Sequence, residues 1–226
     1  MNTLLITVIP SIILIAYFFL SDKFKEPKQL VFITFCLGVL ICFPAGVINN
    51  FMSENFGNSE LGNKDLTYSF LGPAWSEELL KFLILFYIVL PRSEFNERMD
   101  GIVYGVAVSL GFATYENYDY VFRLADLWDV PRDQMAIWRS FSAVPMHGLN
   151  GSIMGFFLGL YVFYKKINYL LLSLFVPFFL HGTYNFINYP FHYIILIIMF
   201  FISIKLHSKL KKLQYMKKIE DEKLKK

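Results

Sequence analysis

Hydrophobic residues in this chain are concentrated in seven long runs that are separated by short polar segments. Within each run the apolar residues are continuous and do not alternate with polar ones, so the pattern favours helices over the strands of a barrel. A bilayer core is spanned by about 20 apolar residues, and most runs approach that length. The runs are Leu4–Leu20, Leu30–Ile48, Phe70–Leu90, Gly101–Phe122, Ala136–Tyr164, Tyr169–Tyr189 and His192–Leu206.

Composition supports the same interpretation. Of the 226 residues, 56% are hydrophobic and only 17% are charged. We therefore expect an all-α, polytopic membrane helical bundle of about seven transmembrane helices. Its transmembrane domain is predicted to cover residues 1–204, and residues 205–226 form a basic cytoplasmic tail. The expected partner is the lipid bilayer, and no nucleic-acid partner is expected.

The positions of lysine and arginine predict the orientation. The segments after runs one, three and five, together with the tail, carry 16 of the 21 basic residues. The segments on the other side carry four, namely Lys64, Arg123, Arg132 and Arg139. Since cytoplasmic segments are rich in lysine and arginine, the sequence predicts an outside N-terminus and a cytoplasmic C-terminus.

Two apolar runs carry glycines at helical spacing. Gly101 and Gly105 lie four residues apart in run four, and Gly151, Gly155 and Gly159 repeat that spacing in run five. Small residues on one helix face allow two backbones to approach closely. The pattern predicts close packing of helices and no chemistry.

Ionisable residues inside the apolar runs are the candidates for function, because a charge within a bilayer costs several kcal/mol by insertion scales. They are Glu77, Glu78, Lys81, Glu116, His147 and His181, accompanied by the amides Asn117 and Asn185. With the predicted topology and a rise of 1.5 Å per residue, the acids and histidines lie about 9–16 Å from the outer ends of four helices. We expect them to form one polar site in the outer half of the membrane.

Spacing within the helices adds to this prediction. Lys81 is three and four residues from the two glutamates and can neutralise one of them. His181 and Asn185 share a helix face, so Asn185 can orient His181 or donate to a developing oxyanion. Glutamate and histidine together suit hydrolysis, in which a carboxylate activates water.

The nature of the catalyst stays open at this point. No serine lies in a GxSxG setting, and the HExxH pattern of zinc proteases is absent. A divalent metal such as zinc remains possible, with His147, His181 and a glutamate such as Glu116 as ligands from separate helices. No cofactor is certain.

Four sequence blocks resemble the PrsW family of membrane-embedded proteases. Residues 76–81 (SEELLK) resemble its EExxK motif, and residues 100–105 (DGIVYG) followed by 111–117 (GFATYEN) resemble its second block. His147 and His181 resemble two single-histidine blocks, and residues 181–185 (HGTYN) have the HxxxN form of the wider CAAX-protease and bacteriocin-immunity group. The resemblance covers roughly Leu71 to Tyr189.

This resemblance implies a bacterial intramembrane endopeptidase located in the plasma membrane. Such an enzyme makes the first, outer-side cut in a single-pass membrane anti-sigma factor during envelope or antimicrobial-peptide stress. Glu77 and Glu78 match the catalytic glutamate pair, and His147 and His181 match catalytic or supporting histidines. Whether the group is metal-dependent or uses glutamate alone is left open by the resemblance.

Two other functions use the same polar cluster. A transporter also buries Glu and His, although carriers place their sites near the midplane between inverted repeats. A non-enzymatic bacteriocin-immunity protein would need the fold but not the glutamates. Substitution of Glu78 distinguishes these functions, because proteolysis would be lost while binding would persist.

Overall fold

The structure, a computed structural model, describes residues 2–56 and 66–224, with side chains throughout these ranges except at residue 56 and beyond residue 216. Lys64 and the middle of the polar segment between the second and third apolar runs lie outside the described residues. The α-helices are α1 (Thr3–Ser21), α2 (Lys28–Phe56), α3 (Leu66–Ser69), α4 (Trp75–Ile84), α5 (Arg98–Asp119), α6 (Ala125–Leu127), α7 (Arg132–Ser140), α8 (Ala143–Tyr164), α9 (Ile167–Phe186) and α10 (His192–Leu224). Three short π-helical segments, Phe70–Ala74, Leu85–Val89 and Tyr120–Leu124, continue α3, α4 and α5.

The prediction of an all-helical membrane protein is confirmed, since the described residues contain no β-strand. Five stretches are long and apolar enough to cross a membrane: Thr3–Ser21, Lys28–Asn55, Arg132–Tyr164, Ile167–Phe186 and His192–Met216. Large apolar side chains on α1, α2, α9 and α10 are exposed, as expected of surfaces that face lipid.

Helix α5 occupies the centre of the bundle and packs against α8, α2 and α1. All of its residues from Met99 to Ala113 are buried. At 22 residues it is about 33 Å long, enough to cross a bilayer. Because protein surrounds it, α5 tolerates glycine, serine and charged residues that lower its mean hydropathy, and it is not among the five apolar stretches.

The third apolar run is not one straight helix. Gly72 has φ −81° and ψ −109°, outside the helical region, and Pro73 follows it. A proline disfavours the α conformation of the residue before it, so the chain bends at Gly72 and α4 follows this bend. This bend determines which residues begin α4, and the acidic pair is among them.

The fifth apolar run, predicted as a single helix from Ala136 to Tyr164, is divided into α7 and α8. Ser142, between the two helices, has φ −128° and ψ −76°. Pro145 follows three residues later, and in an unbroken helix its ring would clash with the carbonyl of Phe141. Because of the break, α7 and α8 run in different directions, and Arg139 on α7 reaches α5.

Glycine packing between α5 and α8 agrees with the sequence prediction. A Cβ atom on Gly155 would lie 1.8 Å from the carbonyl oxygen of Gly101, and one on Gly105 would lie 2.3 Å from that of Gly151. These contacts leave no room for a side chain. They bring the helices that carry Glu116 and His147 close together.

Helix α10 continues without interruption across residue 205, where the basic tail was predicted to begin. Leu210 and Gln214 of this extension are buried. The backbone of the tail is therefore helical as far as Leu224, and its separation from the transmembrane domain stays a prediction.

Candidate active site

The acidic pair lies at the start of α4, directly after the bend. Glu77 and Glu78 lie in the first turn of α4, five and six residues after Gly72. Asn49 of α2 donates through Nδ2 to Glu77 Oε1 over 3.3 Å and accepts from Ser76 Oγ over 2.6 Å. Helix α2 thereby holds one carboxylate oxygen of Glu77 in place.

Glu78 lies behind Glu77 in a fully buried position. Its Oε1 accepts a hydrogen bond of 2.8 Å from Lys81 Nζ and one of 2.9 Å from His181 Nδ1. Glu78 and Lys81 are each 0% exposed, so the ion pair is shielded from water. Since Nδ1 of His181 is occupied by Glu78, its Nε2 is the ring nitrogen available for chemistry.

A second chain of contacts runs from Lys81 through His147 to Glu116. Lys81 Nζ donates to His147 Nδ1 over 3.0 Å, and His147 Nε2 donates to Glu116 Oε2 over 3.0 Å. An ammonium group has only donors, so Nδ1 of His147 is the acceptor and Nε2 carries the proton. The rings of His147 and His181 lie 5.2 Å apart at nearly a right angle.

Arg139 of α7 completes this chain. Its Nη2 donates to Glu116 Oε2 over 2.6 Å, and its Nε donates to Asn117 Oδ1 over 3.0 Å. The guanidinium also lies 3.7 Å from the centre of the Tyr120 ring. Arg139 thus fixes the carboxylate that in turn fixes His147.

Three donors converge at a spacing that suits a metal ion. Glu77, His147 and His181 each offer one ligand atom, and these atoms lie within 4.8 Å of one another. The second oxygens of Glu77 and Glu78 are buried and make no hydrogen bond. Glu77 therefore takes the place in this donor set that the sequence suggested for Glu116, whose Oε2 is held by Arg139 and His147.

A cavity of about 580 Å³ lies directly over these groups. Its wall includes Glu77, Glu116, Arg139, His181 and Asn185, whereas Glu78, Lys81 and His147 are buried behind the wall. The cavity lies at the C-terminal ends of α2, α5 and α9 and at the N-terminal ends of α4 and α8. The lysine-rich segments join the opposite ends of these helices.

The structure brings together all six ionisable residues that the sequence singled out. Of the two amides, Asn185 lines the cavity, while Asn117 is fully buried and donates to the backbone carbonyl of Thr7 over 2.8 Å. In the described part of the chain no hydrogen bond joins Asn185 to His181, whose ring is oriented by Glu78. Asn117 therefore supports helix packing around Arg139.

Sequence reasoning missed three contributors: Asn49, Ser76 and Arg139. Asn49 lies just beyond the second apolar run, which ends at Ile48, yet α2 continues to Phe56 and carries Asn49 to Glu77. Arg139 was counted only as one of the few basic residues on the outer side. Its position near the start of an apolar run was a signal that could have identified it.

Comparison with known proteins agrees with this geometry. The sequence profile described as PrsW family intramembrane metalloprotease matches residues 26–206. Protease PrsW of Bacillus subtilis (strain 168) is 40% identical over 182 residues, which is 79% of this chain and 78% of that protein. Protease PrsW of Geobacillus kaustophilus is 37% identical over 79% of this chain and 76% of its own length, and that of Clostridioides difficile is 31% identical over 83% and 79%.

No solved structure matches the fold of this chain. The profile covers about four fifths of the sequence and includes every residue of the polar cluster. The relatives match a similar share of the chain. The chain belongs to the PrsW family of intramembrane proteases and is a peptidase of bacterial membranes with several membrane-embedded helices.

Proposed function

We propose that this peptidase makes the first, extracytoplasmic-side cut in a single-pass membrane anti-sigma factor under envelope or antimicrobial-peptide stress. The observation that carries the proposal is the cavity over Glu77 and His181, at the end of the bundle opposite the lysine-rich segments. Its volume of about 580 Å³ admits a stretch of peptide together with water.

The topology in this proposal has seven spans, with the N-terminus outside and the C-terminus in the cytoplasm. The five apolar stretches supply five spans, and the bent segment around α4 and the buried helix α5 supply the other two. Lys23, Lys25, Arg92 and Lys165 then lie on the cytoplasmic side, as the distribution of basic residues requires.

The proposed general base is Glu77. It is the member of the acidic pair on the cavity wall, one of its oxygens is anchored by Asn49, and the other makes no hydrogen bond. A carboxylate in this position can take a proton from water that attacks a scissile carbonyl. The Asn185 amide, on the same wall, can donate a hydrogen bond to the oxyanion, and the proton taken up by Glu77 can pass on to the leaving amine. His181 donates its Nδ1 proton to Glu78, so its Nε2 can donate to these groups only when the ring is doubly protonated.

The buried layer positions these groups. Glu78 orients His181. Lys81 balances the charge of Glu78, and its Nζ also lies 3.7 Å from Glu77 Oε2. His147 connects Lys81 to Glu116. In this proposal Glu78 does not contact the substrate, and Glu77 is the glutamate that acts on water.

The donors fit the metal that the family description implies. Glu77 Oε2 and His181 Nε2 are free to bind, whereas His147 can bind only if it gives up Lys81 or Glu116. Histidine nitrogens with one carboxylate are a donor set typical of catalytic zinc. A bound cation would supply a Lewis acid that activates water and polarises a carbonyl, and Glu77 would then be its ligand and not the general base.

Membership in a protease family favours this proposal over a transporter or a non-enzymatic immunity protein. The test is co-expression with the host's single-pass anti-sigma factors. Wild type, Glu77→Ala, Glu78→Ala, His147→Ala and His181→Ala are compared at equal protein levels, with Glu94→Ala from a loop at the opposite end as the control.

We expect wild type and the Glu94 variant to shorten one candidate on its outer side, and the four cluster variants to leave it intact. Cleavage that survives loss of both glutamates and both histidines would contradict the proposed site. Cleavage of a membrane protein other than an anti-sigma factor would contradict the proposed substrate alone.

A further inference from the structure

A second cluster of buried carboxylates lies at the lysine-rich end of the bundle, away from the active-site cavity. Asp22 directly follows α1, Glu26 lies between α1 and α2, and Asp100 is in the first turn of α5. Their exposed fractions are 2%, 5% and 0%. One carboxylate oxygen from each lies within 4.8 Å of the others.

The three acids have no ion pair with lysine or arginine among the described side chains. The nearest lysine, Lys25, directs its ammonium at backbone carbonyls of Phe19, at 2.9 Å, and Leu20, at 2.6 Å, and at that of Asp22. Negative charge on buried groups is costly unless a cation compensates it.

Two oxygens of the cluster are buried without any hydrogen bond, namely Asp22 Oδ2 and Asp100 Oδ1. The other oxygen of each residue is fully used. Asp22 Oδ1 accepts from Gln214 Nε2 over 2.7 Å and from the Phe24 backbone N–H over 3.1 Å. Asp100 Oδ2 accepts from the backbone N–H groups of residues 96 and 97, over 2.8 and 2.6 Å.

We propose that Asp22, Glu26 and Asp100 bind a hard divalent cation of the Mg²⁺ and Ca²⁺ class. The donors are all oxygens, which these ions prefer, and no histidine or cysteine belongs to the cluster. The unpartnered oxygens of Asp22 and Asp100 are the atoms available for coordination. The Tyr104 hydroxyl donates to the Glu26 carboxylate and so limits its rotation.

Such a cation would fasten two parts of the fold to each other. Asp22 and Glu26 belong to the connection between α1 and α2, and Asp100 belongs to the central helix. Gln214 of α10 adds a third part, because its amide nitrogen donates to Asp22 and, over 2.8 Å, to Glu97 Oε2. The site is structural and does not depend on the proposed function.

The experiment uses the full-length protein in detergent after treatment with a chelator. Thermal unfolding is followed while MgCl₂ or CaCl₂ is added in separate titrations, and binding of each ion is measured by calorimetry. The variants are Asp100→Asn and Glu26→Gln, which keep the acceptors for the backbone N–H groups and for Tyr104. Glu94→Gln is the matched acidic control, and Glu77→Gln reports any contribution from the active site.

For wild type, Glu94→Gln and Glu77→Gln we expect saturable binding of one ion per chain and a Tm that rises by several degrees as the ion is added. Asp100→Asn and Glu26→Gln should lose both responses, whatever their Tm without the ion. No saturable response of wild type to either ion, or a full response in both cluster variants, would overturn the proposal. Comparison of the two titrations identifies which ion the site prefers.

Discussion

Nδ1 of His181 donates to Glu78 Oε1 over 2.9 Å, in a position from which water is excluded. The bond joins α9 to α4 and leaves Nε2 of His181 directed to other partners. A carboxylate that holds one ring nitrogen fixes both the orientation and the tautomer of a histidine. The two adjacent glutamates therefore have different tasks, since Glu78 holds a histidine and Glu77 lines the cavity.

The first prediction distinguishes the roles of Glu77 and Glu78 by the effect of each substitution on thermal stability. Glu77→Gln should lower proteolysis by about 10²–10⁴-fold, as expected for loss of a general base, and change Tm little. Glu78→Gln should lower proteolysis and also Tm, because Lys81 loses its charged partner at 2.8 Å. Cleavage rate and thermal unfolding are measured on the same purified samples. Equal losses of Tm in the two variants would contradict the different roles of Glu77 and Glu78.

The second prediction concerns the buried ion pair. Lys81→Met should destabilise the protein by about 3–5 kcal/mol, because it leaves a buried carboxylate uncompensated. The double variant Lys81→Met with Glu78→Leu should recover most of that loss while remaining inactive. A double-mutant cycle of unfolding free energies measures the coupling between Lys81 and Glu78. If the effects of the two substitutions were additive, the ion pair would be contradicted.

The sequence correctly predicted the helical membrane class and the proximity of the six ionisable residues. Both predictions depend only on continuous apolar runs and on the rise of a helix. It did not predict which glutamate faces the cavity. That depends on the rotation of α4, which follows from the non-helical backbone at Gly72. It also did not predict the contact of Arg139 with Glu116, because this contact requires the break between α7 and α8 near Pro145.

The third prediction tests Arg139 as a positioning residue. Arg139→Ala should lower kcat about tenfold or more through loss of its 2.6 Å bond to Glu116, and Arg139→Lys should restore part of it. Arg132→Ala is the control, because its pair with Asp126 is exposed and such pairs contribute little. If a role in stability alone explains Arg139, Tm falls while kcat of the folded fraction is unchanged.

The fourth prediction concerns packing between the central helices. Gly155→Ala should cost about 1–3 kcal/mol or more in unfolding free energy, because its Cβ would collide with the backbone of Gly101. Gly46→Ala is the matched control in α2, since a Cβ there meets nothing within 4 Å. Similar Tm values for the two variants would contradict the close approach of α5 and α8.

The fifth prediction concerns the metal donors. Removal of tightly bound metal with a chelator should abolish proteolysis, and Zn²⁺ should restore it in wild type. His181→Ala should bind at least tenfold less zinc, measured by elemental analysis of the purified protein. Full activity in protein shown to contain no metal would favour catalysis by glutamate and histidine alone.

The most direct test of the central claim is to map the cut itself. The purified protein is placed in liposomes with a single-pass substrate, and the products of wild type and Glu77→Gln are identified by mass spectrometry. We expect wild type to cut in the half of the substrate that lies opposite the lysine-rich side, and Glu77→Gln to produce no product. A cut on the lysine-rich side, or an unchanged cut in Glu77→Gln, would contradict the account.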